Sequence, residues 1–129
     1  MKNPELGFKE VKTSMLVADT MTSFNIPHET GLAITGVKGI IRSKNPGPTV
    51  ALMGELDSLL VSDHPHADPE TGAAHACGHN AQIAGLMGAM MGLVDTGAMD
   101  DLCGNIVIFA VPAEEYVEIE YRLELVRRQ

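Results

Sequence analysis

The segment His75-Ala76-Cys77-Gly78-His79-Asn80 sets a thiol and an imidazole close together, and Pro112-Ala113-Glu114-Glu115 adds two adjacent carboxylates. Thiolate, imidazole and carboxylate are the donors that zinc takes, and a carboxylate left over beside such an ion can serve as a base. Cys77 can ligate only as a thiolate, a form favoured by a cation and by a nearby helix amino end. Gly78 lets the backbone turn between the two donors, so His79 can join without strain. Adjacent Glu114 and Glu115 cannot both face one point equally. One can ligate while its neighbour moves the proton of a bound water.

Asp57, at the end of Gly54-Glu55-Leu56-Asp57, is a candidate for fixing a ligand's orientation from behind, and Glu55 is a weaker one. Each motif taken singly has a plainer reading: a buried small residue for Cys77, a capping or surface residue for His79, a solvated acidic turn for the Glu pair. Their combination favours metal. A Cys77–His79 nucleophilic pair is disfavoured, because neighbours along one stretch of backbone point apart and no third group orients the base. His64 and His66 lie in a polar stretch and read as solvent-facing; nothing argues for His28.

The elements that must position these residues follow from the apolar pattern. Phe8, Val11, Met15, Ala18 and Met21 recur at helical spacing, predicting an amphipathic helix from Phe8 to Phe24 that Pro27 ends. Gly31 to Arg42 reads as one or two short strands, Asn45-Pro46-Gly47-Pro48 as a turn, and Thr49 to Met53 as a buried strand. Val61 to Ala74 is a polar loop. A helix is expected from Asn80 to about Val94, with Ile83, Leu86, Met87, Met90 and Val94 on one side and methionines filling the core. Gly85, Gly88 and Gly92 would be tolerated there if that face lies close against a sheet. Ile106 to Val111 reads as a strand and Glu118 to Arg128 as a last helix.

Continuous apolar strands separated by helices predict an α/β fold, a three-layer α/β/α sandwich with a parallel or mixed sheet. In such sheets sites form at the carboxyl ends of strands, and Asp57, Cys77–His79 and Glu114–Glu115 all fall at that edge. The length suits one domain. A formal charge of −8 argues against nucleic acid as a partner. No apolar run is long enough to span a membrane, and the start Met1-Lys2-Asn3-Pro4 does not read as a signal peptide. With no disulfide framework, a cytoplasmic address is expected, with Cys103 reduced and buried.

Taken in order, these motifs resemble the dinuclear zinc amidohydrolases and peptidases of metallopeptidase family twenty, subfamily D. That group includes aminoacylases, hippurate hydrolases and plant auxin-conjugate hydrolases. The resemblance runs through Pro4-Glu5-Leu6-Gly7-Phe8, the strand and acidic segment from Val50 to Leu59, the segment around Cys77 and the Glu114–Glu115 pair. It implies Cys77, His79 and Glu115 as metal ligands, Glu114 as general base and Asp57 as an acidic residue near the site. It also implies two divalent ions, zinc first, with manganese, cobalt or nickel as alternatives. Asn80 stands where many members carry Asp. The Asn form resembles the p-aminobenzoyl-glutamate and dipeptide hydrolase branch, which points to N-acyl amino acids or dipeptides as substrates. The family places further histidine ligands well downstream of the Glu pair, whereas this sequence stops at Gln129. Residues 1–129 are therefore expected to be the N-terminal part of one catalytic domain, inactive alone and self-associating. The alternative is a non-catalytic α/β metal-binding or interaction module.

Overall fold

The computed structural model describes residues 2–115. Over these the chain runs α1 (Val11–Ser23), β1 (His28–Leu32), β2 (Gly36–Arg42), β3 (Asn45–Glu55), β4 (Leu59–Leu60), β5 (Ala73–Ala74), α2 (His79–Asp95), a 3-10 turn at Ala98–Asp100, and β6 (Cys103–Val111). The helix expected from Glu118 to Arg128 lies outside the described residues.

Four strands form one sheet in the order β1-β2-β6-β3. β6 runs antiparallel to β2 and parallel to β3, and β1 is antiparallel to β2, so the sheet is mixed. A parallel pair cannot be joined by a tight turn, and α2 supplies the crossover from β3 to β6. β4 and β5 make a small separate ribbon at the ends of the expected polar loop.

The register decides which face the helices cover. Gly39 and Leu52 both lie opposite Ile108, from the two strands that flank β6. A Cβ on Gly39 would meet the Met21 sulfur at 2.7 Å, and one on Gly54, two residues beyond Leu52, would meet Ile83 and Leu86 at 3.0 Å. Residues two apart on a strand share a face. Both helices therefore pack on the same side, α1 over β1 and β2, α2 mainly over β3. The core between them holds Val17, Met21, Val37, Ile41, Ile83, Leu86, Met90 and Ile108. Each such side chain, when fully buried, contributes roughly 1.5–3 kcal/mol. The reverse face carries Lys38, Ile40, Val107, Phe109 and Met53, with the Lys38 ammonium 5.9 Å from the Phe109 ring centre. The described residues thus build two of the three expected layers.

Several local expectations are corrected. α1 starts after Phe8, whose φ of 61° is incompatible with a right-handed turn. Its buried stripe is Ser14, Val17 and Met21, with buried Glu10 just before it, while Val11 and Met15 are more than half exposed. Polar residues take the inner face because they have partners: the Ser14 hydroxyl donates to the Thr35 carbonyl at 2.6 Å. Asn45 to Pro48 is no free turn but an irregular start to β3, where the register shifts between Asn45 and Thr49. β3 is an edge strand rather than a buried one, and Val50 and Met53 are 54% and 61% exposed. Gly85, Gly88 and Gly92 do not face the sheet, for a Cβ at any of them meets nothing within 4 Å. Ile83, Leu86 and Met90 face it instead. Cys103 is exposed, not buried, because it opens β6 beside the irregular start of β3. Among the described residues no helix is long and apolar enough to cross a membrane.

Candidate metal centre

β3 and β6 end side by side. Glu55 pairs with Val111, and the Leu56 N–H donates to the Val111 carbonyl at 2.9 Å. Asp57 and Ala113-Glu114-Glu115 therefore leave the sheet at one edge. α2 starts at the same edge, after Gly78 takes a φ of 117° that a side chain would oppose. Gln82, in the first turn of α2, accepts the Glu55 N–H at 2.5 Å and donates to Glu55 Oε2 at 3.2 Å. Those two bonds lock the helix start to the strand end.

His79 sits at the centre and is buried. Its Nδ1 lies 3.0 Å from the Asp57 carbonyl oxygen and 3.1 Å from Asp57 Oδ1. Both are acceptors, which assigns the ring proton to Nδ1. Nε2 then faces three carboxylates: Glu55 Oε2 at 2.9 Å, Glu115 Oε1 at 3.6 Å and Glu114 Oε2 at 3.7 Å. A lone pair turned toward three anions is unfavourable unless a cation, proton or metal, lies among them. Asp57 is fully buried, and its second oxygen accepts the Glu115 N–H at 2.9 Å.

Two donor sets share His79: Cys77, His79 and Glu115, and Glu55, His79 and Glu114, with each set's ligand atoms within 4.8 Å of one another. Glu115 Oε1 is buried without a hydrogen-bond partner, as an oxygen waiting for a ligand would be. The Glu115 carboxylate, as hydrogen-bond partner, pushes the Cys77 thiol above its usual range, and desolvation and the charges of Glu115, Glu114 and Glu55 add to this. A divalent ion would reverse that balance by displacing the proton. The residues present fit a borderline divalent ion.

The structure thus gathers Asp57, Cys77, Glu114 and Glu115 around His79, Asp57 on the Nδ1 side and the two glutamates on the Nε2 side. Glu55 joins them more closely than its sequence alone suggests; the available signal is its place at a strand end beside Asp57. His64 and His66 pair with each other, ring centres 5.8 Å apart, and enter neither donor set. His75 also enters neither; burial pushes its pKa down, and its Nδ1 is buried without a partner.

Two glutamates outside the site support it. Glu5 accepts the Lys12 N–H at 3.0 Å and the Thr13 N–H and hydroxyl at 2.8 Å, capping α1. Its carbonyl accepts the Ser58 N–H and hydroxyl, just past Asp57. Glu10, fully buried, accepts the Ala113 N–H at 2.8 Å through Oε1 and the Thr35 hydroxyl at 2.6 Å through Oε2.

No family model matches the chain. It is 42% identical over 118 residues to thermostable carboxypeptidase 2 of Saccharolobus solfataricus, covering 88% of this chain and 30% of that protein. It is 34% identical over 117 residues to the IAA-amino acid hydrolase ILR1-like 5 of Arabidopsis thaliana, over 88% of this chain and 26% of that one. Among solved structures, the Bacillus subtilis YXEP protein, a dinuclear metal-binding peptidase of the M20 family, superposes with a TM-score of 0.75 at 28% identity. That match covers 87% of this chain and 32% of the YXEP chain. The chain thus shares a mixed α/β fold with a dinuclear metal-binding peptidase and carries a carboxylate–imidazole–thiol cluster at its own strand ends. The chain belongs with the M20-family peptidases and amidohydrolases, and it spans about a third or less of the length of the relatives it matches.

Proposed function

We propose that this chain carries part of the catalytic domain of a zinc-dependent amidohydrolase or carboxypeptidase acting on N-acyl amino acids, aminobenzoyl-glutamate or dipeptides. The observation that carries the reading is His79, held on one side by Asp57 and presented on the other to Glu55, Glu114 and Glu115. Cys77, His79 and Glu115 would hold the ion, which would supply an acidified water and polarise the scissile carbonyl. Glu114 has the right freedom for a base: its side chain is 52% exposed and its carboxylate stands 3.7 Å from His79 Nε2. It takes the proton of the attacking water and delivers it to the leaving amine. Asp57 keeps His79 in the Nδ1–H form and holds the Glu115 backbone. The relatives' names, a carboxypeptidase and a hydrolase of amino acid conjugates, support small amide substrates. The donors described close one ion's shell only in part, so residues 1–129 alone are expected to bind one ion weakly and to be inactive. We place the protein in the cytoplasm, as a homo-oligomer.

The experiment is chelator-sensitive hydrolysis of an N-acyl amino acid by the full-length gene product, alongside zinc titration of this chain. Release of free amino acid, abolished by chelation and restored by zinc, supports the proposal. A full-length product that binds zinc yet cleaves no amide would favour a non-catalytic metal-binding module.

A further inference from the structure

Ala113, immediately before the Glu114–Glu115 pair, has a φ of 57°, a conformation that a residue with a Cβ resists. Such a conformation persists only where its surroundings enforce it. Its N–H donates to Glu10 Oε1 at 2.8 Å, and Glu10 is a fully buried carboxylate that belongs to neither donor set around His79. The other Glu10 oxygen is held by the Thr35 hydroxyl at 2.6 Å, and the Ser14 hydroxyl reaches the Thr35 carbonyl. The start of α1 and the β1–β2 turn therefore clamp one carboxylate, and that carboxylate clamps the turn after β6. Downstream, the Glu115 N–H reaches Asp57. From these contacts we propose that Glu10 is a positioning residue: its carboxylate holds the left-handed turn at Ala113 that aims Glu114 and Glu115 at His79. The consequence for metal binding rests on the proposed function; the positioning itself does not.

A hydrogen bond to an ionised acceptor is stronger than one to a neutral amide, so the substitutions form a graded series. Thr35→Val removes the second partner of Glu10 and leaves the Ala113 bond, serving as the control for general loosening. Glu10→Gln retains an amide oxygen for Ala113, and Glu10→Ala retains nothing. The first readout is amide hydrogen exchange at Glu115 in the metal-free chain, compared with Ile108 in the middle of β6. Exchange at Glu115 should rise by about tenfold in Glu10→Ala, less in Glu10→Gln and least in Thr35→Val, with Ile108 unchanged throughout. If the Ala variant fails to fold, the Gln variant decides. Equal Glu115 exchange in Glu10→Gln and Thr35→Val would overturn the proposal. So would a folded Glu10→Ala chain whose Glu115 remains protected. The second readout is titration with Co²⁺ alone, where affinity should fall in the same order. Absence of Co²⁺ binding by the unmodified chain would remove the metal reading, and the exchange result would still decide whether Glu10 holds the turn.

Discussion

Asp57 bridges the two halves of the site: one carboxylate oxygen lies 3.1 Å from His79 Nδ1 and the other accepts the Glu115 N–H at 2.9 Å. Both partners are donors, so the position demands a group that only accepts. Asn brings an N–H₂ that must face one donor or the other. Asp57→Asn is therefore expected to be nearly as harmful as Asp57→Ala. Each should weaken Co²⁺ or zinc binding by roughly 10–100-fold. Isothermal titration of the two variants checks this, and an Asn variant with unchanged affinity would separate Asp57 from the donor set.

Cys77 tests the geometry without any metal. The Glu115 carboxylate holds the thiol in its protonated form, raising its pKa above the ordinary value. The alkylating species is the thiolate, so less of it is present at about pH 8 than for a free cysteine, and the rate should keep climbing at higher pH. Glu115→Gln removes a negative charge, lowers that pKa and should speed alkylation of Cys77 near neutrality. Iodoacetamide kinetics from about pH 7 to 10, in a Cys103→Ser background, make the comparison. Identical pH profiles with Glu and Gln at 115 would mean that the two side chains do not meet.

Glu114 and Glu115 are neighbours with opposite surroundings. The side chain of Glu114 is 52% exposed, whereas that of Glu115 is 18% exposed and has a buried oxygen without a partner. In the full-length protein Glu114→Gln should lower turnover on the order of 10²–10⁴-fold with bound metal retained, as expected for a lost base. Glu115→Gln should instead lower metal content. Metal analysis beside kcat for each variant distinguishes them, and the reverse pattern would exchange their roles.

β3 offers an unpaired edge among the described residues, with Val50 and Met53 exposed on opposite faces of it. Such an edge invites pairing with another chain. Residues 1–129 are expected to self-associate at micromolar concentration, and Met53→Lys should suppress this by setting a charge on the edge. Light scattering of both forms is the measurement. A strictly monomeric unmodified chain would show that this edge is covered by other means.

The site is more legible in the sequence than the packing is, for a physical reason. Strand ends and helix starts are marked locally, by Gly78 before α2 and by acidic residues after β3 and β6, and these marks bring Asp57, His79 and the Glu pair to one edge. The inner face of α1 carries no such local mark. Apolar spacing selects Val11 and Met15, whereas the buried positions include Glu10 and Ser14, whose partners Thr35 and Ala113 are distant in sequence. A polar residue is buried when it finds such a partner, and periodicity carries no information about partners. β3 departs from expectation for a related reason: a continuous apolar run does not reveal whether its second neighbour is present. In α2, glycine suggests close approach to the sheet, yet the bulky Ile83, Leu86 and Met90 occupy that side.

Glu5 handles two tasks with different atoms of one residue, its carboxylate seated on the first turn of α1 and its carbonyl on Ser58 beside Asp57. The amino-terminal segment is therefore a latch rather than a tail. A protease that clipped it, or an affinity tag that pulled it away, would free the first turn of α1 and loosen the backbone next to Asp57 in a single event. Recombinant forms that differ only ahead of Glu5 should be compared with that in mind: a difference in metal content between them can originate at residues that never approach the ion.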